Sequence, residues 1–244
     1  MTATYVYGLV AAGADLPDGL VGLGPSGEVR TVEHDGVAAL VGDVPSDRPL
    51  GTRDDLMAHE AVVDKVAAAT TVLPMRFPAV VEDDQVVDEL LAPHRDRFLR
   101  ALDALDGLVQ YSLKGRYVQE VLVQEIVEEE PAVADLQERI RGVPEDASYY
   151  DRVKLGEIVA RAMEQRRDVD ARDVLERIGP FAEQVSSSTP AQPDDVVEAA
   201  FLVARDKAEE FEREVEELGG DTHEWLRLRL LGPLAPYDFV PAED

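Results

Sequence analysis

Apolar residues recur with period two in some stretches and at helical spacing in others, and this division orders most of the chain into elements. Tyr5-Val-Tyr-Gly-Leu-Val10 is a β-branched and aromatic run followed by Gly- and Pro-rich residues through Gly27, which predicts a strand and a loop. Glu28–Glu33 and Val37–Val41 flank His34-Asp-Gly36, and Asp-Gly signals a two-residue hairpin turn. Three strands therefore come first. Thr52-Arg-Asp-Asp55 offers a capping box, and Leu56, Val62, Val63, Val66 and Ala67 follow at helical spacing, so a helix is predicted from about Arg53 to Ala69. Two more helical pieces are expected between Asp83 and Asp106, separated at Pro93.

Beyond Gly107 the pattern begins again. Leu108–Tyr117 alternates as a strand, and a long helical region fills 118–178 with breaks at Pro131 and Gly142-Val-Pro144. It carries Val121, Leu122, Ile126, Val153, Ile158, Val159, Ala162 and Met163 inward, with Arg161, Arg166, Arg167, Arg172 and Arg177 outward. Phe181–Ser187 and Val196–Val203 read as strands, Asp206–Leu218 as an amphipathic helix, and Thr222–Leu231 as a last strand. In that last strand Leu226, Leu228 and Leu230 alternate with Arg227 and Arg229, so one face is apolar. Gly232-Pro233 should stop it. Pro233 and Pro236 lack amide donors, so the tail that follows is extended and must lie along another surface.

The predicted fold class is thus α+β with two domains. Residues 1–106 form an N-terminal α+β domain. Residues 107–244 follow the order β-α-β-β-α-β, a modified ferredoxin-like pattern with an enlarged helical crossover (118–178) and a Pro-rich tail (232–244).

Charge narrows the function. Acidic residues outnumber basic ones 51 to 24 for a formal net charge of −27, which repels nucleic acid and anionic lipid at long range. The absence of cysteine excludes disulfides and thiolate metal sites and suits a reducing compartment. With no apolar run of membrane-spanning length and no basic-then-apolar start, the chain is expected to be neither secreted nor membrane-spanning.

Motifs for chemistry fail on spacing or context. Gly22-Leu-Gly-Pro-Ser-Gly27 has the dinucleotide-loop spacing, but a strand follows where a helix N-terminus is required. His59-Glu60 lacks a second imidazole four residues on, where Val63 stands, so a zinc helix is excluded and His59 reads as a hydrogen-bonded core residue. Asp168–Asp173 lacks the glycine of a calcium loop, and no serine sits in a nucleophile elbow. The expectation is no catalytic residue, no cofactor and no metal.

What remains suits contact. Val72-Leu-Pro-Met-Arg-Phe77 is an extended apolar stretch bounded by prolines; either Leu73, Met75 and Phe77 pack into the first core while Arg76 pairs with Glu60, or the edge is left open for a partner strand. Tyr237, Phe239 and Val240 pose the same choice, with packing on their own chain preferred. Leu73, Arg76, Phe77, Tyr237, Phe239 and Val240 are therefore the candidate partner-binding residues.

Tyr5-Val-Tyr-Gly8, His59-Glu60, Val72-Leu-Pro74, Arg76-Phe77, Val196–Val203 and the closing Gly232-Pro233, Pro236-Tyr237 and Phe239-Val240 occur in an order that resembles the gas vesicle protein F/L family. Pro78-Ala79 and Leu234-Ala235 depart from that family's usual text. The resemblance implies two α+β domains, the second modified ferredoxin-like, and no enzymatic activity. It further implies an accessory or minor structural role in gas vesicle assembly, with the main shell protein and other accessory proteins as partners and a place on the gas-facing shell surface. The rival expectation is a ligand-binding or catalytic α+β protein with a pocket between its domains, since fold does not decide function.

Overall fold

The computed structural model describes residues 3–45, 48–82 and 85–240. It is a mixed α+β molecule with two sheets. Two compact units divide the chain differently from the contiguous 1–106 and 107–244. The first comprises Met1–Tyr111, Leu202–Asp206 and Leu231–Asp244, and the second Ser112–Phe201 and Lys207–Leu230.

In the first unit β1 (Ala3–Ala11) lies at the centre of an antiparallel sheet, because its residues are apolar on both sides. It pairs along its length with β3 (Val37–Asp43), which pairs in turn with β2 (Val29–His34). Asp35 and Gly36 make the β2–β3 turn at φ 41° and 94°, the left-handed values that an Asp-Gly hairpin requires. The other side of β1 is covered by β4 (Leu73–Pro74) and β5 (Val80–Glu82), short edge strands interrupted by the prolines the sequence places there.

Helix α1 (Arg53–Ala69) begins as expected: Thr52 Oγ1 accepts from the Asp55 N–H, and the Asp55 carboxylate accepts from the Thr52 N–H. Arg48 grips the same carboxylate with two N–H groups, which holds the Asp55 carboxyl well below the usual range. The last turn of α1 has no basic residue of its own. Arg205, more than a hundred residues away in sequence, donates to the carbonyls of Ala67, Ala68 (3.2 Å) and Thr70 (3.1 Å) and neutralises that end.

The sheet is sandwiched. Val62, Val63, Val66 and Ala67 of α1 pack with Tyr5, Tyr7, Ala38 and Leu40 on one face. On the other, Phe98, Ala101 and Leu102 of α2 (Ala92–Ala104) pack with Val6, Leu9, Ala39 and Val41. The expected break at Pro93 is absent. A π-helical stretch, Val86–Leu91, runs straight into α2, and Pro93 lies just after the change from π- to α-helix.

The second sheet, the greater part of which belongs to the second unit, has the order β7-β8-β6-β9, from β6 (Leu108–Tyr117), β7 (Gln184–Ser188), β8 (Asp195–Ala204) and β9 (Leu226–Leu234). Three helices fill the β6–β7 connection: α3 (Gln119–Glu129), α4 (Pro131–Ile140) and α5 (Tyr149–Ile178), broken where Pro131 and Gly142–Pro144 predict. Between β8 and β9 runs α6 (Ala208–Thr222), which buries Phe211, Val215 and Leu218. Several boundaries differ from expectation: the strand expected from Phe181 begins at Gln184, after a 3-10 turn over Gly179–Phe181, and the last strand begins at Leu226 instead of Thr222. Helix α6 continues through Gly219-Gly220 to Thr222, whose buried hydroxyl donates to the Leu218 carbonyl (2.9 Å) and closes the last turn. Strand β9 continues through Gly232-Pro233 to Leu234.

Candidate functional site

The tail after β9 belongs to the first unit and grips it with its main chain and its side chains. The Ala235 N–H donates to the Asp64 carboxylate of α1 (2.9 Å). Farther on, the Asp238 N–H donates to Gln110 Oε1 (3.0 Å), and Gln110 Nε2 returns a bond to the Asp238 carboxylate (2.5 Å). Ala235 is fully buried with Tyr237 beside it on the α1 face of the sheet, while Phe239 and Val240 pack against the α2 face. The tail therefore packs against both faces of the sheet.

His59 ties this arrangement together. Its ring is 1% exposed on the apolar side of α1. Tyr5 Oη lies 2.9 Å from Nδ1, while the Met75 carbonyl (3.0 Å) and Tyr237 Oη (2.9 Å) both approach Nε2. A carbonyl can only accept, so Nε2 carries the proton, Nδ1 accepts from the Tyr5 hydroxyl, and Tyr237 Oη shares the Nε2–H. One neutral imidazole thus joins β1, the segment after β4 and the tail. Tyr5, Tyr7, Phe77 and Tyr237 surround it with ring centroids 5.7–6.3 Å away.

Burial pushes the His59 imidazole below its ordinary 6.5, against a smaller raising effect of the bond to Met75. The same burial raises the Tyr5 and Tyr237 hydroxyls and the Asp64 carboxyl. The unfolded chain takes up a proton at His59 near pH 6.5 and the folded chain does not. The contribution of His59 is therefore complete above pH 6.5 and is lost as pH falls from there toward the folded pKa. Urea titrations from pH 7.5 to 5 should show stability falling by up to about 1.4 kcal/mol per pH unit from this single proton. The His59→Gln variant should show a slope shallower by that amount.

The candidate partner-binding residues are now placed. Leu73 is buried in the core on the α2 face, and Met75 packs against the same cluster. Phe77 and Tyr237 pack against the α1-face core, Phe239 and Val240 against the α2-face core, each keeping part of its surface exposed. Arg76 is exposed and, among the described residues, pairs neither with Glu60 nor with another carboxylate. The segment holding Arg76 and Phe77 and the tail holding Tyr237 meet at His59, through the Met75 carbonyl and the Tyr237 hydroxyl.

In the second unit Arg166 and Arg167 depart from the outward positions expected of them. Arg166 turns toward α3 and pairs with Glu125 (2.6 Å) and with Asp170 (3.6 Å), which also accepts the Tyr117 hydroxyl (2.5 Å). Of the apolar residues of α5 only Val174 and Ile178 are fully buried. A cleft of about 280 Å³ lies where α5 meets β7 and β8, and a groove of about 490 Å³ lies between α6 and β9. His223 borders the groove, with its Nδ1 2.7 Å from the Gly220 carbonyl. Among the described residues, no three His, Asp or Glu side chains gather as metal ligands, and no helix is long and apolar enough to cross a membrane.

Comparison with known proteins matches this chain along its length. The family model "Gas vesicle synthesis protein GvpL/GvpF" matches residues 3–241. Gas vesicle protein F of Streptomyces sp. (strain CB03234) is 35% identical over 98% of this chain and 99% of its own. Gas vesicle protein L of the same organism is 32% identical over 92% and 87%. The crystal structure of GvpF from Anabaena sp. PCC7120 superposes with a TM-score of 0.81 over the whole of both chains at 23% identity, a likeness of fold. GvpF from Microcystis aeruginosa superposes at 0.74, with 25% identity, over 99% of this chain and all of that one.

Proposed function

The chain belongs to the GvpL/GvpF family of gas vesicle synthesis proteins, and on that premise we propose that it is a non-enzymatic accessory or minor structural protein of gas vesicle assembly that binds the main shell protein. The observation that carries this reading is the family match over residues 3–241. The physical rationale is a division of labour within one surface. A body of net charge −27 resists self-association, while local apolar edges engage a polymerising partner. The second unit is assigned a modified ferredoxin-like fold, supported by its β-α-β-β-α-β succession and its β7-β8-β6-β9 order. Its place is the gas-facing side of the shell, reached by assembly from the cytoplasm.

The surface formed by Arg76, Phe77, Tyr237, Phe239 and Val240 is one proposed contact surface, from which buried Leu73 is removed. Arg76 is its most informative position, because the exposed guanidinium does no internal work. Arg76→Glu should leave stability within about 0.5 kcal/mol of the parent. In cells lacking the gene, the parent chain should restore vesicles and recover the shell protein on purification, and Arg76→Glu should recover several-fold less. Normal vesicles in the gene's absence would refute the assembly role. Normal recovery with Arg76→Glu would remove only this surface. Protease added to intact and to pressure-collapsed vesicles tests the location: protection before collapse and digestion after it is the expected result, and digestion of intact vesicles would contradict the gas-facing side.

A further inference from the structure

We infer that the outer edge of β9, with the groove beneath α6, is a β-addition site for an extended segment in which apolar residues alternate with acidic ones. This deepens the assembly reading and rests on it in one respect: the segment would belong to the shell protein.

The inference begins with main-chain direction. Strand β9 ends the order β7-β8-β6-β9, so among the described residues one of its sides has no neighbouring strand. At its start the Trp225 carbonyl accepts the Val118 N–H (2.8 Å), on the side of the strand that faces β6. Period-two alternation then turns the N–H and C=O groups of Arg227 and Arg229 toward β6 and those of Leu226, Leu228 and Leu230 toward the open edge. An unpaired row of this kind is a template for another strand.

Side chains specify which strand. Leu226 is fully buried, whereas Leu228 and Leu230 are half-buried and line the groove with Val215, Gly219 and His223. Gly219 leaves the helix wall without a side chain there, and a Cβ added at that position meets nothing within 4 Å. The groove thus has room for the inward-facing apolar side chains of an added strand. Arg227, which also borders the groove, and Arg229 are exposed, and the outward-facing residues of an added strand would lie beside them. Acidic residues there satisfy both guanidinium groups.

The same charges exclude a second copy of this chain. Antiparallel self-pairing centred on Leu228 sets Arg227 of one copy opposite Arg229 of the other, and parallel pairing sets each arginine beside its own counterpart. Like charges directly opposite across a ladder are destabilising. Two bodies of net charge −27 repel as well. At the other end of the sheet, β7 is exposed throughout and carries three serines, so it offers main-chain groups without an apolar anchor.

The test separates this site from the assembly reading. Backbone amides of the labelled full chain are followed by NMR during titration with a synthetic Val-Glu alternating hexapeptide and, as control, a Val-Lys one. The expected result is shifts and slowed exchange at Leu226, Leu228 and Leu230 with the Val-Glu peptide alone, weakened about tenfold or more in Leu228→Lys. Leu230→Lys, at the more open end, provides a second variant should Leu228→Lys lose its native melting curve. Equal responses to both peptides, or none at these amides, would overturn the site. In a parallel arm, shell-protein recovery is compared for the parent, the Leu228→Lys chain and a β7 control, Val185→Lys. Loss confined to the β9 variant supports the site. Equal recovery by all three overturns it and leaves the assembly reading standing. No recovery by the parent, with the peptide result intact, overturns the assembly reading alone.

Discussion

Replacing Gly232 by alanine should cost about 3 kcal/mol of folding stability, as much as truncating a core side chain. The residue lies in β9 against Tyr111 of β6, and a Cβ built on it would stand 2.3 Å from the Tyr111 Cδ1 and 2.7 Å from Cε1. Tyr111 is 1% exposed, so its ring has no free space to swing into. Gly232 also holds φ at 157°, a value that side chains with a Cβ rarely adopt. Overpacking of this kind ordinarily costs about 1–3 kcal/mol, and the backbone conformation adds to it. Urea denaturation of Gly232→Ala measures the loss, and the double variant Tyr111→Leu/Gly232→Ala identifies its cause. If the ring is the obstacle, the pair should recover at least about 1 kcal/mol relative to additivity. A Gly232→Ala chain as stable as the parent would show that the strand and ring adjust freely.

This position also marks a limit of what the sequence made legible. Gly232-Pro233 looked like a stop, because glycine and proline together are the strongest local punctuation a chain has. The strand continues with Gly232 set against the buried ring of Tyr111, more than a hundred positions away in the chain, and that contact is not local. Elements governed by local chemistry were legible: the Thr52–Asp55 capping box starts α1 and Asp35-Gly36 turns the first hairpin. The core role of His59 was legible from its place on an apolar stripe. Its three hydrogen-bond partners were not, since Tyr5, Met75 and Tyr237 come from three separate segments. Arg205 at the end of α1 could not have been found by reading α1 either, because the helix carries no sign of a cation supplied from so far away. Arg166 misled for a related reason. Arginine on a long helix reads as solvent-facing unless carboxylates such as Glu125 and Asp170 are known to wait on the inner side.

Removal of residues 234–244 should destabilise the first unit by about 3–5 kcal/mol, the largest loss expected of any change here. The deletion takes away fully buried Ala235, half-buried Tyr237, Phe239 and Val240, and the bonds made to Asp64, His59 and Gln110. At about 1 kcal/mol for each half-buried side chain and each hydrogen bond, the gross loss exceeds this figure. The conformational freedom returned to the removed segment offsets part of it. Both faces of the first sheet lose cover at once, so a hydrophobic dye should bind the truncated chain below its melting temperature. The Asp64 carboxyl, raised by burial, should move back toward its ordinary range, because that effect outweighs the opposing bond from the Ala235 N–H. A truncated chain that melts with the parent and binds no dye would mean that the tail is held loosely and is free to engage another molecule. The expected loss also bears on function. If vesicles fail in cells carrying the truncation, an unstable first unit is sufficient cause, whereas failure with Arg76→Glu or Leu228→Lys at parental stability would point to a lost contact. Those substitutions alter exposed or half-exposed positions and leave the grip of the tail on His59 in place, so they separate holding the protein together from holding its partner.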